Sequence, residues 1–205
     1  LRRALLLYAL GLVFYGGFSQ PWSDIRFVGV LQRIAICYLF ASILFLTLDW
    51  RGLVVAMVGL LGGYWALMTF VPVPGVGAGS FEPDANLANW IDANFLPGRL
   101  WDKTRDPEGL LSTLPAIATC LLGVFAGLLL KSTRVTPTQK SLWLIGAGAA
   151  MVAAGYLWSV QFPIVKEIWT SSFVLVAGGY SAILLGLMHQ AIDVWGWKVW
   201  ATAFV

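Results

Sequence analysis

Charged residues are scarce in this chain of 205 residues, and their scarcity limits its class. Asp, Glu, Lys and Arg make up 11% of the residues, whereas a soluble domain carries about 25%. Since the mean hydropathy is also high, at +0.80, the composition excludes an ordinary soluble domain and predicts a polytopic membrane protein. The net charge of +3 is small and gives no reason to expect a nucleic-acid partner.

Cysteine and histidine are nearly absent. The two cysteines, Cys37 and Cys120, lie inside apolar runs. We interpret them as small packing residues rather than a disulfide or a metal pair, and no metal site is predicted. The single histidine, His189, is expected to be an ordinary helix-end residue. Asp193, one turn later, leaves an oriented histidine base as the alternative.

The chain also lacks a visible signal peptide, an internal repeat and a low-complexity segment. It begins with Leu1 rather than Met, and it ends just inside a new apolar segment. We therefore interpret it as an internal fragment of a longer protein.

Long apolar runs make up most of the chain. A spanning helix needs about 20 predominantly apolar residues, and runs of this kind recur from one end to the other. They predict an all-α fold, a polytopic transmembrane helix bundle that forms a single domain over residues 1–205. We expect six full spans and the start of a seventh at Trp197. The six spans are predicted over residues 5–18, 28–48, 53–71, 110–130, 142–158 and 172–192.

Lys and Arg in the short connections predict the orientation, because cytoplasmic loops carry an excess of both. With alternating spans, the basic connections all fall on one face, which we expect to be cytoplasmic. These connections are residues 2–3, 49–52, 131–140 and 194–198. The opposite, extracytoplasmic face is predicted to carry residues 19–27, 72–109 and 159–171.

One long polar segment, residues 79–115, interrupts the apolar runs. It holds six of the ten acidic residues, and a loop longer than about 12–15 residues is uncommon unless it is functional or disordered. Trp90, Phe95 and Trp101 favour an ordered cap, so we expect binding or chemistry on this side of the membrane. A weak helical period after Asn86 predicts a short interfacial helix. The candidates for binding a sugar-like substrate, with a solvated polar face as the alternative, are Asp84, Asn86, Asn89 and Asp92.

Gln32 and Arg33 lie about one turn inside the second predicted span. An arginine within a span costs roughly 2.5–3.5 kcal/mol at the membrane centre and is a functional-site hypothesis by default. Gly29, Cys37 and Ala41 share its helix face, and small residues line helix interfaces in lipid. We therefore predict that Arg33 points inward and holds a loop carboxylate or an anionic substrate group. The alternative is an interfacial arginine that extends to the lipid headgroups.

Asp106, Pro107 and Glu108 are predicted to open the fourth span, with Asp106 as the N-cap. Glu108 is either a first-turn charge that complements the helix dipole or a site carboxylate paired with Arg33. Trp169 and the hydroxyl residues after it open the sixth span, either as a belt residue with N-caps or as part of the site. Because the second, fourth and sixth spans enter from the same face, their positive ends are expected to converge under the long loop, where they would suit anionic groups. The site-supporting candidates are Gln32, Arg33, Asp106, Glu108, Trp169 and Ser171.

Several motifs, in order, resemble the heparan-alpha-glucosaminide N-acetyltransferase family and its bacterial relatives. FVGVLQRIAICYL, at residues 27–39, is similar to that family's VLQR helix. NLANWIDANFLPGRLW and DPEGLLSTLPAIATCLLGVFAGLLL, within residues 86–130, are similar to its extracytoplasmic loop and DPEG helix. KEIWTSSFVLVAGG, at residues 166–179, is similar to its late W-[ST]-S-x helix. The resemblance covers nearly the whole chain, and the motifs are specific in combination.

The resemblance implies a multi-helix enzyme of a bacterial inner membrane, with the extracytoplasmic segments in the periplasm. It would transfer an acetyl group from cytosolic acetyl-CoA to an amino sugar at the opposite face, with Arg33 and Glu108 as site-supporting residues. The family's proposed catalytic histidine lies upstream of the first matched helix, and His189 does not match it. Basic residues on the cytoplasmic side would meet the phosphates of acetyl-CoA, although positive-inside bias also accounts for them. These candidates are Lys131, Arg134 and Lys140.

Two function classes stay open on the sequence alone. One is the acetyl-CoA-dependent membrane acyltransferase, and the other is a sugar or oligosaccharide transporter component without covalent chemistry. Transporters often show internal repeats and helices broken at the midplane, and neither is evident here, which favours the enzyme. Besides membrane lipid, the partners we consider are a small-molecule amino sugar and a second copy of the chain.

Overall fold

The computed structural model describes residues 1–197. Its regular structure within that range is helical, with short 3₁₀ turns at Gly17–Ser19 and Trp22–Asp24 and only isolated β-bridges. This confirms the predicted all-α class; the predicted seventh span begins at the last described residue and otherwise lies outside the described range. The helices are α1 (Arg2–Phe14), α2 (Val30–Thr47), α3 (Trp50–Phe70), α4 (Leu87–Phe95), α5 (Thr113–Lys131), α6 (Pro137–Trp158) and α7 (Ser171–His189), which continues as a π-helical turn (Gln190–Val194).

Five helices of the described range are long and apolar enough to cross a membrane: α2, α3, α5, α6, and α7 with its π-helical turn. They contain 18 to 24 residues. At 1.5 Å per residue these lengths match a hydrocarbon core about 30 Å thick. The chain is therefore an integral membrane protein built as a helix bundle.

The first predicted span, residues 5–18, does not form a helix of that length. α1 has 13 residues, which is about 20 Å of helix. It ends because Gly16 and Gly17 adopt left-handed backbone angles, with φ of +98° and +51°. The prediction of six full spans therefore holds for five helices, and α1 is a shorter helix that packs against α2, with Gly11 on the side chain of Gln32.

The predicted start of the fourth span is wrong. The sequence places Asp106 as its N-cap, but α5 begins at Thr113. The Asp106 carboxylate is bound instead by a side chain far away in the sequence, as described below. The segment before the helix is folded into turns, in which the Gly109 N–H donates to the Asp106 carbonyl oxygen at 3.1 Å.

The fifth span begins earlier than its apolar run predicts. α6 starts at Pro137 rather than at residue 142. Thr136 Oγ1 accepts a hydrogen bond from the Gln139 N–H, and the Gln139 side chain accepts one from the Thr136 N–H. This reciprocal capping box starts a helix within polar sequence, and it places Lys140, predicted to lie in a loop, in the first turns of α6.

α6 and α7 pack backbone to backbone along a seam of glycines. A Cβ on Gly148 would come 2.6 Å from the carbonyl oxygen of Gly179, and one on Gly179 would come equally close to that of Gly148. Gly155 and Gly186 face the partner helix in the same way. Small residues permit such close approach in lipid, so this pair forms one side of the bundle, and α7 also contacts α5 and α3.

Three connecting segments, within residues 15–29, 71–112 and 159–170, meet at one end of the bundle. The Arg99 N–H donates to the Ile25 carbonyl oxygen at 3.0 Å. The segments predicted to share a face thus lie together, as alternating spans require. Which side of the membrane they face stays a prediction.

α4 lies within the long loop, where the sequence predicts a short helix. Leu87 and Ala88 are buried on its inner face, in a cluster with Tyr64 of α3 and Phe162. This cluster fixes α4 across the end of the bundle, so the loop is an ordered cap over the helix ends.

Candidate functional site at the loop end of the bundle

A buried arginine, Arg26, binds two carboxylates at the loop end. Its Nη2 donates to Asp106 Oδ1 at 2.9 Å and Oδ2 at 3.1 Å, and to Glu108 Oε2 at 2.7 Å. The rings of Tyr15 and Trp101 have their centroids 4.8 and 4.9 Å from the guanidinium carbon. The side chains of Arg26 and Asp106 are 7% and 0% exposed. Each charge here depends on its partner, because an uncompensated buried charge is costly.

Sequence reasoning missed Arg26. The residue lies in a predicted loop, so the cost of a charge inside a span did not single it out. A basic residue on the face that carries the acidic loop was the available signal. Arg26 and Asp106 are 80 positions apart, so only the fold shows that they meet.

Arg33 holds the backbone of the same region. Its Nη1 and Nη2 donate to the carbonyl oxygens of Pro107 and Ser112, both at 2.7 Å. The centroid of the Trp169 ring lies 4.3 Å from its guanidinium carbon. Arg33 is 8% exposed, so it points inward as predicted rather than to the headgroups. The alternative that pairs Glu108 with Arg33 is not observed, because that carboxylate binds Arg26 and the described residues offer Arg33 no ion pair within 4.0 Å.

Residues 106–112, which we name the carboxylate turn, are fixed from both sides. Asp106 accepts hydrogen bonds from the N–H groups of Glu108 and Trp101, both at 3.0 Å. Ser112 Oγ donates to the Gly109 carbonyl oxygen at 3.2 Å. Arg26 therefore binds the side-chain carboxylates of the turn, and Arg33 binds its backbone carbonyl groups.

Trp169 connects Arg33 to the interior of the bundle. Its Nε1 donates to Thr119 Oγ1 on α5 at 3.1 Å. Its backbone has φ of +54°, which is unfavourable for a bulky side chain and persists only where the surrounding structure enforces it. Trp169 thus packs between Arg33 and Thr119; its role in the site stays a prediction.

Two further site-supporting candidates, Ser171 and Gln32, lie away from the carboxylate turn. Ser171 Oγ donates to the Leu61 carbonyl oxygen at 2.7 Å and is fully buried. Gln32 Nε2 donates to the Arg26 carbonyl oxygen at 3.4 Å, and its Oε1 faces Gly11 without a hydrogen-bond partner. Both side chains join neighbouring segments rather than line a cavity.

The four polar residues predicted to bind substrate have different environments. Asn86 caps α4, since its Oδ1 accepts from the Asn89 N–H at 2.9 Å and its Nδ2 donates to Asn89 Oδ1 at 2.6 Å. Asp84 is exposed and accepts a hydrogen bond from a threonine hydroxyl of the same loop. Asp92 is 1% exposed and accepts from the Leu110 N–H at 2.9 Å.

A cavity of about 640 Å³ opens between the long loop and the segment before α7. Asn86 and Asn89 lie in its wall, whereas Asp84 and Asp92 do not. Arg105 also lines it and pairs with Asp102 at 2.8 Å. The wall contains more acidic than basic residues. Its negative charge favours a small polar ligand with a positive charge. The acidic lining residues are Glu82, Asp102, Asp106 and Glu167.

Burial raises the pKa of two carboxyl groups near this cavity. It raises the pKa of Asp92 to about 7, although the hydrogen bond from the Leu110 N–H opposes the change. Burial and then the neighbouring Asp106 carboxyl raise the pKa of Glu108, and Arg26 opposes them. Both groups therefore exchange protons nearer to neutral pH than ordinary carboxyl groups do.

The basic residues predicted to meet acetyl-CoA lie at the opposite end of the bundle. Lys140 Nζ donates to the Leu130 carbonyl oxygen at 2.7 Å, so it also serves as a cap for the end of α5. Lys131 lines an apolar groove of about 290 Å³ between α2 and α5, whose wall includes Cys120. Arg134 is exposed in the connection between α5 and α6.

His189 also lies at this opposite end. Its Nδ1 is 2.9 Å from Ser141 Oγ and its Nε2 is 4.0 Å from Asp193 Oδ2. Ser141 is 1% exposed, so this buried contact joins α6 to α7. It takes no part in the acid-lined cavity.

These features define an integral membrane helix bundle with an acid-lined cavity at one end, held by two buried arginines. The chain is 24% identical to human heparan-alpha-glucosaminide N-acetyltransferase and 23% identical to the mouse protein, over 95% of its length in both cases. It is therefore a distant relative of that acetyltransferase, as its motifs predict. The chain spans 38% of the length of each relative. No protein-family model matches it.

Proposed function

We propose that this chain is the core of an acyltransferase of a bacterial inner membrane. The enzyme moves an acetyl group from cytosolic acetyl-CoA to an amino sugar at the opposite face. The observation that carries the proposal is similarity over 95% of the chain to proteins named for N-acetyl transfer. The fold supports it because a cavity and a groove approach the bundle core from opposite ends.

The acceptor binds in the acid-lined cavity. A volume of about 640 Å³ falls within the range of roughly 300–1,000 Å³ that small-ligand pockets occupy. An amino sugar carries an ammonium group near neutral pH, which the carboxylates of the wall attract. The aromatic rings of Phe81 and Trp101, also in the wall, offer apolar faces to a sugar ring.

The donor approaches along the groove between α2 and α5. This groove passes Ala41 and Cys120 and reaches Lys131, whose ammonium would meet a phosphate of acetyl-CoA while the pantetheine arm enters the groove. A layer containing Arg33, Trp169 and Cys37 separates the groove from the cavity. This layer must open for the amine to reach the thioester.

The reaction is an acyl transfer to nitrogen. The ammonium group of the sugar loses a proton, and the amine attacks the thioester carbonyl carbon. The C–N bond forms, the C–S bond breaks, and CoA leaves as the thiol with a second proton from the nitrogen. Arg33 donates to two backbone carbonyl groups of the carboxylate turn and so positions that turn, while its buried Nε has no hydrogen-bond partner among the described residues.

The test uses the full-length protein in sealed vesicles, with labelled acetyl-CoA on the cytoplasmic side and glucosamine on the other. The proposal expects the label on the sugar nitrogen. Movement of the sugar without transfer of the label would instead support a transporter without covalent chemistry and would overturn the proposal.

Arg33→Ala separates site support from membrane anchoring. The substitution removes the two hydrogen bonds that hold the backbone of the carboxylate turn in place, so turnover should fall at least tenfold while insertion is retained. Arg51→Ala is the matched control, because Arg51 is exposed at the start of α3 and its guanidinium lies over the ring of Trp50. An Arg33→Ala variant with normal turnover would contradict the assigned role.

A further inference from the structure

Asp92 on α4 has a buried carboxyl group to which the proposed reaction gives no role. Its side chain is buried, with the whole residue 1% exposed, and its Oδ1 accepts a hydrogen bond from the Leu110 N–H at 2.9 Å. Gly109 lies directly against the same carboxyl group, so closely that a Cβ at this position would overlap it. α4 is therefore tied to the carboxylate turn through one carboxyl group packed on a glycine.

The groups that face Asp92 do not neutralise a negative charge. Asp106 of the carboxylate turn repels it, and Arg33 of α2 attracts it from a position where both its Nη atoms are already bound to carbonyl groups. Tyr64 of α3 is the remaining titratable neighbour. α4 itself carries no other charged residue. An ionised Asp92 would therefore be a buried charge without an ion-pair partner in the described part of the chain.

We propose that Asp92 is a proton-sensitive latch that holds α4 on the carboxylate turn. With a neutral carboxyl group, the latch keeps its carbonyl-type acceptor for the Leu110 N–H and leaves no charge buried. Ionisation places an unpaired charge in the same position and favours release of α4. This inference concerns the cap of the cavity and holds whether or not acetyl transfer is the reaction.

The direction and size of the effect follow from proton linkage. Burial raises the pKa of Asp92 to about 7 when α4 is latched, whereas a solvent-exposed aspartate has a pKa of about 3.9. The latched state therefore binds the proton more tightly. The stabilisation is complete below about pH 4 and is lost as the pH rises through about 7. Between pH 6 and pH 8 the opening equilibrium of α4 should increase about tenfold.

The test is hydrogen exchange of the α4 backbone amides in the full-length protein in lipid nanodiscs, expressed as protection factors. In the unmodified protein, protection of Leu87–Phe95 should fall about tenfold from pH 6 to pH 8. Asp92→Asn keeps the oxygen acceptor and cannot ionise, so its protection should change less than twofold. Asp84→Asn, which alters an exposed carboxylate of the same loop, should keep the tenfold change.

Three results would overturn the proposal. One is protection in the unmodified protein that does not depend on pH. Another is an Asp92→Asn variant that retains the full pH dependence, since a different group would then titrate. The last is an Asp92→Asn variant that loses protection at both pH values, since the ionised carboxylate would then be the holding form. If Asp92→Asn does not fold, Gly109→Ala tests the latch instead. Its Cβ should displace the carboxyl group and lower protection at pH 6 at least tenfold, and unchanged protection would overturn the latch.

Discussion

Removing Arg26 should destabilise the loop end more than any surface charge change can. Arg26→Ala leaves the Asp106 and Glu108 carboxylates without their shared cation, and the Asp106 side chain is 0% exposed. Breaking a buried ion pair by removing one partner costs about 3–5 kcal/mol. At about 2–4 °C per kcal/mol for a chain of this size, the melting temperature should fall by roughly 6–20 °C.

The chain contains a matched control for this change. Arg105 pairs with Asp102 at 2.8 Å, but their side chains are 34% and 56% exposed. Exposed pairs contribute little because water screens them, so Arg105→Ala should lower the melting temperature much less than Arg26→Ala does. The assay is thermal unfolding of the purified protein in nanodiscs, followed by the fluorescence of its 11 tryptophans.

Two additional measurements separate charge from packing. Combining Arg26→Ala with Asp106→Asn and Glu108→Gln should recover part of the loss, because no unpaired charge is then buried. The deficit of Arg26→Ala should also shrink from pH 8 to pH 5. Burial and Asp106 already raise the pKa of Glu108 against the opposing effect of Arg26, so without Arg26 this carboxyl group takes up a proton more readily. Equal losses for Arg26→Ala and Arg105→Ala would refute the reasoning.

Two further substitutions test how the loop end is joined together. Gly98→Ala should destabilise the protein more than Gly75→Ala: both glycines have left-handed φ, +77° and +83°, but only at Gly98 would a Cβ overlap the Ile25 carbonyl oxygen. Thermal unfolding checks this, and equal shifts would mean that the contact with Ile25 contributes nothing. Tyr64→Phe leaves the Ile168 carbonyl oxygen without its 2.5 Å partner inside the core, so it should cost about 1–3 kcal/mol, whereas Tyr180→Phe on an exposed position should cost little.

The sequence predicts the membrane-crossing helices well, because lipid leaves the backbone few alternatives to a helix. Its errors lie where local backbone signals decide where a helix begins or ends. The pair Gly16 and Gly17 ends α1 before it reaches the length of a span. Thr136 and Gln139 start α6 before its apolar run begins. In both places a local backbone signal overrides the hydropathy of the segment.

The sequence predicts only part of the candidate site, because the pairings in it join distant residues. Small residues on the face of α2 indicate that Arg33 points inward, and the structure places it at 8% exposure. The partners of Arg33 and Arg26 could not be predicted, because each pairing joins residues more than 70 positions apart. Asp106 shows the consequence. Asp-Pro is a strong helix-start signal, yet the Asp106 carboxylate lies in a turn, where it binds the distant Arg26.

The charges of the cavity wall lead to a last prediction, about the release of product. Arg26 compensates Asp106 and Arg105 compensates Asp102, whereas Glu82 and Glu167 make no ion pair among the described residues. If the cavity binds an amino sugar as proposed, these two carboxylates attract its ammonium group. N-acetylation converts that group into a neutral amide and so removes the attraction.

Glucosamine should therefore bind more tightly than N-acetylglucosamine, and Glu82→Gln combined with Glu167→Gln should abolish the difference. With about 1 kcal/mol for each of the two solvated charge pairs, the affinity of the double variant for glucosamine should fall about thirtyfold, while its affinity for N-acetylglucosamine should stay the same. Titration of each sugar against the fluorescence of the cavity residue Trp101, with a Trp101→Phe variant to identify its signal, measures both affinities. If the double variant loses affinity for both sugars equally, the carboxylates bind hydroxyl groups common to both, and charge does not drive release.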